Sequence, residues 1–203
     1  MSYPEKQYHR QETAKEYTKV YTLDNNDQIL IKQDEDGMLG YINVQTLKSF
    51  TRNYGAFSDS TSQSGSTNTA YAMKLNTTDL GGHGVSIVSG SRMTVENSGV
   101  YNLQFSAQLD RVAGSGTKDI SIWLSVTGSN VANTSTIITM SGGAKASATV
   151  AAWNFLVPLS SSQYCELMWS TQDANLHLTA SGSMSSPDRP SVPSVIATLT
   201  QVS

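Results

Sequence analysis

Within Val100-Tyr-Asn-Leu-Gln-Phe-Ser-Ala-Gln-Leu109, apolar side chains recur at every second position: Tyr101, Leu103, Phe105, Ala107 and Leu109. The residues between them are mostly Asn, Gln and Ser. A period of two sends one set to a core and the other toward solvent, which is the pattern of a half-buried strand. Ile120, Ile122, Leu124 and Val126 repeat it, with Trp123 on the opposite face. Further apolar runs occupy 85–88, 137–140, 150–159, 164–169, 176–180 and 195–202, separated by Gly, Ser, Asn and Asp clusters. About eight short strands at this spacing, with no helical pattern between them, predict an all-β antiparallel sandwich or barrel. Parallel sheets need crossover segments, which this chain lacks. Composition agrees: Ser and Thr supply 51 of 203 residues, beside 15 Gly. Tyr101, Leu103, Phe105, Leu109, Ile122, Leu124 and Leu167 are the expected core.

One strand is apolar on both faces. In 150–159, Ala152, Asn154 and Leu156 alternate with Ala151, Trp153, Phe155 and Val157. In a two-sheet sandwich only one face of each sheet meets the core, so the second face is expected to meet another chain, with another domain or the chain's own loops as the alternatives. Trp153, Phe155 and Trp123 are the candidate interface residues, since large aromatics dominate interface energy. The chain has a single cysteine, Cys165, so no internal disulfide can form and packing or association must stabilise it.

Charge density divides the chain. Residues 1–56 carry 15 charged groups, whereas residues 57–203 carry 14. Between them lies Ser58-Asp-Ser-Thr-Ser-Gln-Ser-Gly-Ser-Thr-Asn68, a composition that reads as a flexible linker. The expected organisation is an N-terminal module over 1–56, a linker over 57–69 and a β domain over 70–203. In the first module, 21–33 and 38–44 read as strands around the acidic turn Asp34-Glu-Asp-Gly37. Gln45–Phe50 adds a short helix or a third strand, and residues 4–19 have no apolar stripe. A lone hairpin is unstable in water, so this module is expected to lean on copies of itself or on a larger partner.

The chemistry-bearing residues form no constellation. The net charge of −3 gives no basic field for nucleic acid or acidic lipid. No apolar stretch approaches the roughly 18 to 20 residues of a membrane-spanning helix. The polar N-terminus reads as lacking a secretory signal. His9, His83 and His177 are scattered, without the spacing of a zinc site. Cys165 alternates with Leu167 and Trp169 and reads as a small buried hydrophobe. Asp110, Asp119 and Asp173 read as solvated loop acids rather than a glycoside-hydrolysing pair. Asn76-Thr-Thr and Asn133-Thr-Ser are glycosylation sequons in form only. No catalytic, cofactor-binding or metal-binding residue is assigned, no cofactor is expected, and the chain does not read as an enzyme.

The stretch Met93-Thr-Val-Glu-Asn-Ser-Gly-Val-Tyr-Asn-Leu-Gln-Phe-Ser106 resembles the strand pair of the complement-head and tumour-necrosis-factor superfamily, with Gly99 opening the turn and Tyr101 and Phe105 facing one core. The closing stretch 194–202 is similar to that family's final hydrophobic strand. With 70–80 and 84–88 ahead of it, the domain resembles heads of bacteriophage fibre and decoration proteins. Leu23-Asp-Asn-Asn-Asp-Gln-Ile-Leu-Ile31, with Ile42-Asn-Val-Gln-Thr-Leu47, resembles a small module at the bases of phage fibres. The resemblance implies a jelly-roll head, a homotrimer, assembly in a bacterial cytoplasm and residence in the virion. It implies attachment to other capsid or tail proteins through 1–56, and a head exposed for host attachment. Polar distal loops, Gly81–Gly84, Arg111–Lys118, Ser141–Lys145 and Ser181–Arg189, are expected to carry any contact with a host surface glycan. Two alternatives stand beside this one: a decoration protein that braces the shell without a receptor role, and a carbohydrate-active enzyme on the same sandwich.

Overall fold

A computed structural model describes residues 26–32, 39–44, 52–142 and 147–203. The chain divides into two compact units, Met1–Thr51 and Arg52–Ser203. In the first, β1 (Gln28–Lys32) pairs antiparallel with β2 (Leu39–Asn43), Gln28 lying opposite Asn43 and Lys32 opposite Leu39. The expected strand pair is therefore present. The acidic turn, the 45–50 segment and the N-terminal tail lie outside the described residues.

The second unit is built from two antiparallel sheets. One has the order β12 (Ser147–Leu159), β8 (Gly99–Arg111), β17 (Val195–Gln201), β3 (Tyr54–Asp59), β5 (Thr77–His83), and β14 (Leu176–Leu178) also pairs with β8. The other runs β10 (Ser129–Asn130), β9 (Thr117–Val126), β13 (Tyr164–Thr171), β7 (Arg92–Val95), β6 (Val85–Val88), with β11 (Thr136–Ser141) on β9 and β4 (Tyr71–Ala72) on β13. The predicted all-β antiparallel class holds. The longest pairing joins β8 to β12 from Gly99 opposite Leu159 to Arg111 opposite Ser147.

The core is the sum of the period-two patterns. Tyr101, Leu103, Phe105, Ala107 and Leu109 of β8 share one buried cluster with Ile120, Ile122 and Leu124 of β9 and Leu167 and Trp169 of β13. All seven residues expected in the core are at most 5% exposed. Burial of this much apolar surface is the main favourable contribution to folding, at about 25 cal/mol per Å².

Three expectations are corrected. The segment read as a flexible linker over 57–69 belongs to the sandwich. Phe57 is fully buried on β3, opposite Ala197 of β17 and Thr78 of β5. Asp59, also fully buried, accepts hydrogen bonds from Thr61 N (2.9 Å), Thr61 Oγ1 (2.7 Å) and Gln63 Nε2 (2.8 Å). Gln63 exchanges backbone hydrogen bonds with Leu178 and side-chain bonds with the backbone of Lys74. Composition misleads here because polar groups bury readily once each has a partner. The domain boundary consequently falls at Thr51–Arg52 rather than after a linker at 69.

Secondly, Gly81–His83 is not a loop but the end of β5, where a register irregularity separates the Tyr54–His83 and Ala56–Leu80 pairs. Thirdly, Gly99 does not open the turn that precedes β8. It begins β8, and a Cβ there would collide with the Ser203 carbonyl oxygen and the Gln201 amide. Close approach of β17 and its C-terminal continuation fixes this glycine.

Candidate functional site

The residues singled out for chemistry are held in structural contacts. The Arg111 side chain is 1% exposed and faces Asp173 Oδ2 at 2.8 Å. It also donates to the carbonyl oxygens of Ser115, Gly116 and Met140. It thus ties three loops at one end of the sandwich, and a Cβ at Gly142 would stand 2.6 Å from its Nη1. The Arg111–Lys118 loop, expected among the polar loops that carry any glycan contact, turns its arginine inward. Asp173 is held below the ordinary carboxylate range, first by the Asn175 backbone N–H and then by Arg111.

Asp119 accepts from Thr139 Oγ1 at 2.7 Å. Asp110 lies opposite His177 across β8 and β14. The His177 ring contacts the Ala174 carbonyl oxygen through Nε2 at 2.9 Å, and His83 stacks on Tyr54 with ring centroids 4.4 Å apart. Among the described residues no group of three His, Cys, Asp or Glu is placed to hold a metal ion. His9 lies outside them. Cys165 is buried as expected, and burial pushes its thiol up to about 12. A thiol at that value stays protonated near neutrality and is not a nucleophile.

Of the remaining expected loops, Ser141–Lys145 is described only to Gly142. The Ser181–Arg189 stretch forms the small hairpin β15 (Met184–Ser185) with β16 (Asp188–Arg189). There, Arg189 Nη1 donates to the neighbouring Pro190 carbonyl oxygen at 3.1 Å.

The unusual surface is the outward face of the six-stranded sheet. Its rows follow from the register: Leu156, Asn102, Thr200, Tyr54 and His83; then Asn154, Gln104, Thr198, Ala56 and Leu80; then Ala152, Ser106, Ile196, Ser58 and Thr77. None of these fifteen positions carries Asp, Glu, Lys or Arg. Leu156 is 66% exposed, Val150 54%, Leu80 49% and Ile196 43%. An antiparallel sheet facing water normally turns polar residues outward. Depletion of charge together with exposed apolar groups is instead the composition of an interface core.

The aromatic residues expected at an interface separate into two places. Trp153 and Phe155 take the core-facing phase of β12, with Ala151 and Val157. Because β12 is an edge strand they are half-buried, packed on Phe105 with ring centroids at 4.7 Å and 6.3 Å. Trp123 faces outward from the other sheet, beside a groove lined by Asn130, Val131, Asn133 and Ser135. Sequence reasoning did not find this groove, because its polar residues are scattered over β9 (Ser121), β10 (Asn130) and the segment before β11 (Asn133, Ser135) and carry no pattern.

No family model matches the chain, and no curated protein shows significant similarity to it.

Proposed function

We propose that this chain is a structural surface protein of a bacteriophage particle, a homotrimer with a jelly-roll head. In this reading the unit 1–51 attaches to other capsid or tail proteins, and the sandwich is displayed for contact with the host surface. The observation that carries the self-association is the outward face of the six-stranded sheet: its fifteen positions from the Leu156 row to the Ala152 row carry no charge, Leu156, Val150 and Ile196 are exposed, and the acid Asp110 stands beyond them at the far end of β8. Copies meeting through it would remove those side chains from water without desolvating a formal charge. The virion assignment rests on the resemblance of the domain carrying 70–80 and 84–88 to phage fibre and decoration heads, on that of 23–31 with 42–47 to a module at phage fibre bases, and on a small hairpin unit preceding a larger β unit.

Light scattering of the full chain at micromolar concentration tests the reading. The expected mass is three times the 21.8 kDa of one chain. Leu156→Glu replaces the most exposed apolar side chain of this face with a charge and is expected to yield folded monomers. A monodisperse monomer from the unmodified chain would overturn the assembly. For the virion role, deletion of the gene is expected to abolish adsorption of the phage. Loss of particle stability alone, with adsorption intact, would replace attachment by shell decoration.

A further inference from the structure

We propose that the groove beside Trp123, on the outward face of the seven-stranded sheet, is a carbohydrate subsite that takes a neutral sugar ring of a surface polysaccharide. It rests on the attachment reading above for its biological setting, but its geometry is independent of the self-association face.

The groove has a volume of about 780 Å³, within the roughly 300 to 1,000 Å³ of small-ligand sites. Trp123 is partly buried in it, and its indole Nε1 donates to Asn130 Oδ1 at 2.7 Å. This bond satisfies the indole N–H and fixes the ring before any ligand arrives, so little ordering entropy remains to be lost on binding.

The opposite wall is equally fixed. The β9–β10 turn is made by Thr127 and Gly128, both with left-handed φ, of 49° and 79°. It sets Asn130 opposite Ser125. Beyond it, Val131 N donates to the Leu124 carbonyl oxygen at 2.9 Å. Thr134 Oγ1 donates to the Val131 carbonyl oxygen at 2.8 Å and accepts from Leu124 N at 3.1 Å. The loop is therefore latched to β9 twice. Asn133, itself left-handed at φ 63°, sits exposed at its apex.

The lining chemistry selects the ligand class. Ser121, Ser135, Asn130 and Asn133 provide hydroxyls and amides that both donate and accept, and no charged side chain lines the groove. An anion, a metal ion or a phosphate backbone finds no complementary charge there. A sugar ring presents an apolar C–H face and a rim of hydroxyls. The first fits an indole ring and the second fits paired amides and hydroxyls. Trp123 lies on the sheet that does not carry the uncharged face, so self-association would leave one groove open on each copy. Repetition of a weak site is how avidity arises.

The test uses the full chain and saturation-transfer NMR with glucose, galactose, mannose, rhamnose, N-acetylglucosamine and maltohexaose at millimolar concentration. The Trp123 indole N–H resonance is assigned by its loss in Trp123→Phe. At least one saccharide is expected to show transfer and to shift that resonance. Trp123→Ala is expected to weaken binding by about tenfold or more, which corresponds to about 1.4 kcal/mol. Asn133→Gly, at an exposed left-handed position that glycine adopts without strain, is expected to weaken it about threefold to tenfold. No response from any of the six saccharides, or binding unchanged in both variants, would overturn the subsite. The same variants are then applied to cells that bind the unmodified protein. Equal binding by Trp123→Ala would sink the subsite and leave the attachment reading standing. Sugar binding without any cell binding would do the reverse.

Discussion

The two sheets of the larger unit are alike inside and different outside. On both, the inward residues are apolar and buried: Leu103 and Phe105 on one, Ile122 and Leu124 on the other. On the seven-stranded sheet the outward residues include charges that find partners within the chain. Glu166 accepts from Ser91 Oγ at 2.7 Å and lies 3.8 Å from Arg92 Nε, and Arg92 stands over the Tyr164 ring at 4.6 Å. Asp119 is held by Thr139. The outward face of the six-stranded sheet has no such charges across its fifteen central positions and exposes Leu156 and Ile196 instead. The inward register is constrained by one shared core. The outward register is free of that constraint, so a difference between the two outward faces reports what each face meets.

Substitution of an inward residue on either sheet should therefore be severe, and similar for the two. Phe105→Ala removes the ring on which Trp153 and Phe155 pack and is expected to cost about 3 to 5 kcal/mol. Leu124→Ala on the other sheet is expected to cost about 2 to 5 kcal/mol. Calorimetric melting of both checks this. If either variant melts within a degree of the parent, the inward register assigned to that strand is wrong.

Arg111 gives the next largest effect. Its guanidinium is buried against Asp173 and three carbonyl oxygens. Arg111→Ala removes a donor from each of those acceptors, of which the Gly116 carbonyl keeps Gly142 N and Asp173 keeps Asn175, and breaking a buried pair of this kind costs about 3 to 5 kcal/mol, less here because Asp173 retains those partners and some exposure. The pair also carries a pH dependence. Asp173 is held below its ordinary value in the fold, so its contribution to stability is present above the unfolded value, near 4. It is lost as pH falls through the depressed folded value. The melting temperatures of the parent and of Asp173→Asn should thus differ at pH 7 and converge as the solution is acidified below about pH 4. A difference that does not shrink in acid would mean that the ionised carboxylate is not what stabilises these loops.

The inward register was legible in the sequence because apolar alternation is a direct image of a buried face. Tyr101 through Leu109 and Ile120 through Leu124 needed no other information. The 57–69 segment was not legible, because its order comes from polar partners remote in sequence: Gln63 meets Leu178 and Lys74, and Asp59 lies against Ser194. A Ser-rich run looks the same whether its hydroxyls meet water or protein. Gln63→Ala separates the two. In a flexible linker it would change stability by less than about 0.5 kcal/mol. In the observed fold it strips a partner from Asp59 and from the Lys74 backbone, and about 1 to 3 kcal/mol is expected from denaturant unfolding. The outward faces were half legible. The doubly apolar pattern of 150–159 left open which of its two faces is uncovered, and Trp153 and Phe155, the interface candidates, take the core-facing one. The exposed set is Val150 and Leu156.

The smallest effect sharpens the comparison most directly. A lysine is added to each outward face: Gln104→Lys on β8 of the six-stranded sheet, and Ser86→Lys on β6 of the other. Both native side chains are exposed, so each change is expected to leave the sandwich within about 0.5 kcal/mol of the parent. If the uncharged face is where copies meet, the first lysine is buried against a surface with no acid to receive it, whereas the second remains in water. Like charges from several copies would also converge there. Light scattering at matched concentration should then show the Gln104→Lys chain shifted toward monomer and the Ser86→Lys chain unchanged. Raising the salt should recover only a part of the lost association, since screening weakens repulsion between the added lysines but does not restore their hydration. Equal assembly of the two variants would mean that the absence of charge on the six-stranded face is not the mark of a contact surface.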